Sequence, residues 1–146
     1  MSDFYVAVGD TASFAKTVGE SDIYQFAGLT GDLAPPHVNE EFMKSSPYGQ
    51  RVAHGAMLVG FMSTASALLA GRVIETTEGV TPMSLGYDRV RFTAPVFIGD
   101  TIKVSYTVKE IEPERGRSRS SLEAVNQRGE VVGIAEHIMK WLENPV

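Results

Sequence analysis

The segment from Gly55 to Ala70 constrains the fold of this chain most, because it contains no charged residue. It is too long for an ordinary strand. A helix that is apolar on every side is expected to be buried on every side, so we expect a buried helix that ends at Gly71 as its C-terminal cap. Its richness in Gly, Ala, Ser and Thr favours the core of a soluble protein over a membrane span.

Shorter helices are expected before this segment. Ser21 is a candidate N-cap for a helix that continues to Thr30 and stops at Gly31. Asn39 is a candidate cap for a second short helix. The helical signals therefore all lie in the first half of the chain.

Strand signals dominate the second half, where the apolar residues alternate with polar ones. Ile102, Val104, Tyr106 and Val108 fall on one side of such a segment. An antiparallel sheet wrapped around the apolar helix satisfies this order, because its inner face supplies the apolar partner that the helix needs. We therefore expect a single α+β domain over residues 1–146. The expected strands are Thr11–Val18, Ser84–Phe92, Thr101–Val108, Ser118–Asn126 and Val131–Leu142.

Charge and composition exclude several classes of protein. The net charge of −5 and the pI near 5.2 argue against a nucleic-acid binder. Arginines at 115, 117 and 119 follow glutamates at 110, 112 and 114, which is typical of a charged hairpin tip. The absence of cysteine excludes disulfides and thiolate chemistry and suits the cytoplasm. Met1 to Asp10 shows no signal-peptide pattern, and we expect no membrane association.

The residues that suggest chemistry lie just before the apolar helix. Asp32 and His37 are separated by a short loop that contains two prolines, which forbid regular helix and hold the loop stiff. A carboxylate and an imidazole aimed at one water form an acid/base pair. Gly55 opens the helix, where unpaired backbone N–H groups can stabilise a ligand oxygen that gains negative charge.

Each of these residues also has a structural explanation. An aspartate before prolines is often a turn residue, and a glycine at a helix start can simply serve as its cap. His54 is expected to hydrogen-bond nearby backbone, with a catalytic role as the alternative, and His137, on a strand, is expected to be a core or edge residue. The three histidines lack the spacing of a zinc motif, so we expect no metal.

The chain resembles the MaoC-like dehydratases, which include the R-specific enoyl-CoA hydratases. The resemblance is carried by FAGLTGD-x-x-P-x-H, by VAHG followed eight residues later by Ser63, and by RFTAPVFIGDTI, and it covers roughly Thr17 to Leu142. It implies a hot-dog fold, a homodimer, and acyl-CoA or acyl carrier protein thioesters as substrates, with no cofactor.

The resemblance also implies roles for individual residues. The catalytic aspartate and histidine of the family fall on Asp32 and His37. The glycine whose amide binds the thioester carbonyl falls on Gly55, and the serine of the central helix falls on Ser63, which can equally be a small residue that permits close packing. The family usually has asparagine two residues after the aspartate, to brace the loop or the water; this chain has Ala34 there.

The expected activity is reversible hydration of a trans-2-enoyl thioester to a 3-hydroxyacyl thioester, by a hydro-lyase. A hot-dog thioesterase is one alternative, although such enzymes commonly place a carboxylate on the central helix and Gly55 to Ala70 has none. A non-catalytic subunit that binds acyl thioesters is another, and Ala34 is the feature in its favour. Turnover of enoyl-CoA, release of free thiol, or neither, separates the three.

Overall fold

The computed structural model describes residues 4–145. Its elements are β1 (Thr11–Thr17), α1 (Glu20–Thr30), α2 (Pro35–Val38), α3 (Glu40–Lys44), α4 (Gly55–Thr76), β2 (Val80–Phe92), β3 (Thr101–Glu112), β4 (Arg117–Val125) and β5 (Val131–Glu143). A 3₁₀ turn, Pro113–Arg115, joins β3 to β4. All five predicted strands are present, and three of them extend further than the alternation indicated.

The strands form one antiparallel sheet in the order β1-β3-β4-β5-β2. Helix α4 packs across the inner face of this sheet. The buried positions of β3 are the predicted ones, Ile102, Val104, Tyr106 and Val108. They meet apolar residues of α4, because alternation sends every second side chain of a strand to the same face. The expected α+β arrangement, an antiparallel sheet wrapped around a long apolar helix, is confirmed.

The apolar helix differs from the prediction in two ways. It continues through Gly71 to Thr76, because Gly71 is an interior residue of the helix and Thr77 is its cap. It is also not buried on every side, since Ala56, Gly60 and Ala67 are exposed along one face. A single sheet covers only one side of a helix, so a lack of charge does not guarantee burial within one chain. Among the described residues α4 alone has the length and hydropathy of a membrane span, and half of that apolar stretch is buried as in a core helix.

The start of α1 also differs from the prediction. Its N-cap is Gly19, not Ser21, and the helix begins at Glu20. The carboxylate of Asp22 accepts a hydrogen bond from the Gly19 backbone N–H at 2.8 Å, which fixes the first turn two residues earlier than expected. Two other predicted caps are confirmed: Gly31 ends α1 with φ of 82°, and the Asn39 side chain accepts from Phe42 N–H at 2.9 Å.

His137 is a core residue, as one of the predicted alternatives had it. Its ring is fully buried on β5, with Nε2 at 2.7 Å from the Ser84 hydroxyl and Nδ1 at 2.9 Å from the Tyr106 hydroxyl. Burial lowers the pKa of His137 to about 4 and raises the pKa of Tyr106 to about 12. The charged hairpin tip is confirmed by Arg119, whose Nε donates to Glu112 at 2.9 Å.

Candidate active site

The loop after α1 is held by local hydrogen bonds. Asp32 follows the glycine that ends α1, and its carboxylate accepts from Ala34 N–H at 3.3 Å. The sequence suggested that the two prolines exclude helix here, and this expectation is wrong. Pro35 and Pro36 occupy the first positions of the short helix α2, where a missing N–H costs nothing. His37 therefore projects from a rigid helical turn five residues after Asp32.

The orientation of the His37 ring is fixed by the backbone before α4. Its Nδ1 lies 2.8 Å from the carbonyl oxygen of Val52, and Val52 N–H donates to the Pro36 carbonyl at 3.0 Å. A carbonyl can only accept, so Nδ1 carries the proton of the neutral ring. The lone pair of Nε2 is then free to accept a proton from a ligand or water.

The structure brings Asp32 and His37 together. One carboxylate oxygen of Asp32, one ring nitrogen of His37 and one of His54 all lie within 4.8 Å of one another. Because a hydrogen bond spans about 2.8 Å, one water can bridge atoms at this separation. Asp32 is exposed and His37 half-buried, so the space between them is open to solvent and ligand. The proximity that the acid/base hypothesis needs is present, while the catalytic roles stay a prediction.

The same three residues do not suit a metal ion as they stand. The rings of His37 and His54 are stacked, with centroids 3.8 Å apart and planes at 25°. A metal ion bound to imidazole lies near the plane of the ring, and two nearly parallel stacked rings direct their lone pairs along separate planes. His54 Nε2 also lies 2.9 Å from the backbone carbonyl of Asp32, so that nitrogen is a hydrogen-bond donor.

A cavity of about 340 Å³ lies beside His37 and Gly55. Two larger clefts, of about 680 and 690 Å³, lie elsewhere on the surface and contain neither residue. The smaller cavity combines an imidazole, a helix N-terminus and a largely apolar wall, which is the usual character of a ligand site. Its other lining residues are Tyr48, Val52, Ala53, Leu58, Phe92, Thr93, Ala94, Pro95 and Val96.

Gly55 has a packing requirement that the sequence did not reveal. A Cβ atom at this position would lie 2.4 Å from Cδ2 of Phe92, the last residue of β2. The space beside the glycine is therefore already filled by an aromatic ring, rather than left open for a ligand. Phe92 is 50% exposed, so its ring can move.

Ser63 lies further along α4 than Gly55. It lies eight residues after Gly55 on α4, about 12 Å along the helix axis, on the exposed side. Its hydroxyl is near that of Tyr87 on β2. Burial raises the pKa of Tyr87, and the hydroxyls of Ser63 and Ser66 act in the opposite direction.

Arg51 is a buried residue of this region that the sequence did not single out. Its guanidinium donates to the carboxylate of Glu40 at 2.9 Å, to the Tyr24 hydroxyl at 3.1 Å and to Glu20. The hydrogen bond to Arg51 lowers the pKa of Glu20. Arg51 thus ties α1 and α3 to the segment before α4. In this segment the carbonyl of the next residue, Val52, orients His37. An arginine four residues before a helix start gives no such signal in the sequence.

Known proteins of similar sequence include hydratases and dehydratases. Residues 5–130 match the sequence model of the MaoC like domain. The chain is 42% identical over 107 residues to an (R)-specific enoyl-CoA hydratase of Rhodospirillum rubrum, which covers 73% of this chain and 69% of that protein. It is 38% identical over 112 residues to a 3-hydroxybutyryl-CoA dehydratase of Methylorubrum extorquens, covering 77% and 66%. The matches thus span about two thirds of each relative.

The fold has close structural neighbours. An R-hydratase of Pseudomonas aeruginosa, solved without ligand, superposes with a TM-score of 0.76 at 28% identity, covering 97% of this chain and 88% of that one. The fold and the similar proteins define a hot-dog protein of the hydro-lyase class, as predicted. The chain belongs to the MaoC-like dehydratase family.

Proposed function

We propose that this enzyme adds water to a trans-2-enoyl-CoA, giving an (R)-3-hydroxyacyl-CoA, and catalyses the reverse dehydration. The observation that carries the proposal is that Asp32 and His37 lie within reach of one water, and that His37 lines a cavity at the start of α4. Two relatives, an (R)-specific enoyl-CoA hydratase and a 3-hydroxybutyryl-CoA dehydratase, support the substrate class. An acyl carrier protein thioester has the same reacting atoms.

The proposed mechanism uses one water held by both side chains. His37 Nε2 accepts one proton of the water as the water oxygen forms a bond to C3 of the enoyl group. The Asp32 carboxylate accepts a hydrogen bond from the second O–H, which remains on the product as its hydroxyl group. The double-bond electrons pass toward the thioester carbonyl. The pair then returns one proton to C2, so the net change is the addition of one water. Because both side chains lie on one side of the substrate, the addition is syn.

The backbone N–H of Gly55 is the proposed donor to the thioester oxygen. The first N–H groups of a helix have no partner within it and lie at its positive end, where they stabilise a developing enolate. Gly55 and His37 line the same cavity, so one bound thioester can contact both.

The activity is tested by following the loss of enoyl absorbance with crotonyl-CoA and a panel of longer and branched enoyl-CoAs. Asp32→Asn and His37→Gln are each expected to lower kcat about a hundredfold or more. The double variant should be little worse than either, because the two groups act on one water. Asp88→Asn, which changes an exposed carboxylate on β2, is the matched control. Wild-type enzyme that turns over no enoyl-CoA, or that releases free thiol instead, contradicts the proposal.

A double-mutant cycle separates the two possible roles of Gly55. In Gly55→Ala the new methyl group overlaps the Phe92 ring, and we expect a loss of about 1–3 kcal/mol in stability together with lower activity. Adding Phe92→Ala removes the overlap and should recover part of that stability. If the amide binds the thioester, activity stays low in the double variant, because the methyl group still displaces the carbonyl. Activity equal to that of Phe92→Ala alone would mean that Gly55 serves packing only.

Ser63 is proposed to contact the substrate away from the reacting atoms. Its support is the exposure of Ser63 on α4, with its hydroxyl near that of Tyr87. Ser63→Ala is then expected to raise KM and leave kcat nearly unchanged. A fall in kcat at constant KM would instead assign Ser63 to the transition state.

We further propose a homodimer. Leu68 is 47% exposed on the open face of α4, beside the exposed Ala67, and β2 is an edge strand that carries the half-exposed Met83 and Leu85. A second copy can cover both features at once. Light scattering should give twice 15.8 kDa. Leu68→Asp should shift the mass toward the monomer, while Val8→Asp, at another exposed apolar residue, should not.

The proposed location is the cytoplasm, which suits a chain without cysteine. The proposed chemistry uses side chains, one backbone amide and water, and it calls for no cofactor beyond the CoA of the substrate. Activity that survives extensive dialysis against EDTA is the expected result.

A further inference from the structure

We infer that His54 is a positioning residue that holds Asp32 and His37 in register with each other and with the Gly55 amide. This inference rests on the proposed function of the pair. The sequence favoured a hydrogen bond from His54 to nearby backbone without identifying the partner. The structure shows that its ring contacts both members of the pair, through two different kinds of interaction.

The first contact fixes Asp32. His54 Nε2 lies 2.9 Å from the backbone carbonyl oxygen of Asp32, which can only accept, so Nε2 carries the proton. This hydrogen bond connects residues 22 positions apart and ties the loop after α1 to the start of α4. His54 is 2% exposed, so the donor of this bond is buried, and replacing it removes the protein partner of the Asp32 carbonyl.

The second contact fixes the plane of His37. The two imidazoles stack with centroids 3.8 Å apart, and Phe26 of α1 lies on His54 with centroids 4.7 Å apart. The His37 ring is therefore held at its edge by the Val52 carbonyl and across its face by His54. Since His54 precedes Gly55 in the chain, the same residue also relates both side chains to the first amide of α4.

The tautomer of His54 completes the argument. With the proton on Nε2, its Nδ1 is an acceptor, and this buried atom has no hydrogen-bond partner among the residues that the structure describes. A buried acceptor left unpaired costs free energy. The cost at His54 Nδ1 is explained if the ring is needed for its contacts with Asp32 and His37. The imidazole of His54 both stacks on His37 and donates from Nε2 to the Asp32 carbonyl. Phenylalanine could only stack, and glutamine could only donate.

Two substitutions separate the two contacts. His54→Phe keeps a ring for stacking and removes the donor, while His54→Gln keeps a donor and removes the ring. Each is expected to lower kcat for crotonyl-CoA about tenfold or more with little change in KM, because small displacements of paired groups are costly. His137→Gln is the matched control, since it changes a buried histidine elsewhere in the core, and it should leave kcat of the folded enzyme near the wild-type value.

Two further readouts distinguish positioning from general damage. In a His37→Gln background, His54→Gln should lower kcat only slightly more, because it acts through His37. The ¹⁵N signals of His37, which should indicate the Nδ1–H tautomer in the wild type, should shift toward a mixture in His54→Gln but not in His137→Gln. Unchanged kcat, fully additive losses or an unaltered His37 signal would overturn the inference. The ¹⁵N measurement needs no turnover, so it tests the positioning of His37 even if no enoyl-CoA proves to be a substrate.

Discussion

The buried His137 gives this protein a specific sensitivity to acid. Its ring is fully buried between the hydroxyls of Ser84 and Tyr106, and burial lowers its pKa from 6.5 to about 4. In the unfolded chain the ring regains an ordinary pKa. Between these two values the unfolded state therefore binds more protons than the folded state, and unfolding is favoured as the pH falls.

The size of the effect follows from the two pKa values. Above about pH 6.5 both states hold a neutral ring and the contribution is absent. As the pH falls toward 4 the stability is progressively lost, up to about 3 kcal/mol, at 1.36 kcal/mol for each pKa unit. About 2 kcal/mol of this is reached by pH 5. For a domain with a total stability of roughly 5–15 kcal/mol, the loss is large.

The assay compares urea unfolding of the wild type and of His137→Gln between pH 7.5 and pH 5. Glutamine keeps an amide that can hydrogen-bond both hydroxyls but does not titrate. Carboxylates contribute equally to both proteins, so the difference between the two curves isolates the histidine. The wild type should lose about 2 kcal/mol more than the variant from pH 7 to pH 5. Parallel pH dependences for the two proteins would refute the assignment of a depressed pKa to a neutral, buried ring.

Three further substitutions are predicted to lower stability. Met62 is fully buried near the centre of α4, so Met62→Ala should leave an enclosed cavity and lower the free energy of unfolding in urea by about 2–5 kcal/mol. A loss below 1 kcal/mol would contradict the packing. Gly129→Ala, at φ of 78° with no atom within 4 Å of the new Cβ, should cost only the left-handed penalty of about 1–2 kcal/mol. Gly116→Ala should cost more by thermal melting, since its Cβ would lie 3.1 Å from the backbone oxygen of Trp141; equal costs would contradict this difference.

The part of the fold that the sequence predicted is the part that neighbouring residues determine. The alternation in β3, the αL cap at Gly31 and the side-chain cap at Asn39 depend on residues close in the chain, and each is confirmed. Two predicted boundaries were wrong, one for a local reason and one for a tertiary reason. The Asp22 carboxylate moved the start of α1 to Glu20, and Gly71 lies inside a helix that packing against the sheet carries to Thr76.

For the site, the sequence by itself identified Asp32 and His37 as the candidate acid/base pair and placed them on one short loop. Asp32 and His37 are close in the chain, so their separation of a few ångströms follows from the loop alone. Only the tertiary structure decided how they are aimed, because that depends on contacts between distant residues. Val52 lies 15 residues from His37, His54 lies 22 residues from Asp32, and Phe92 reaches Gly55 from the end of another element. Such contacts arise only when α1, α4 and β2 pack together, and no local pattern of residues encodes them.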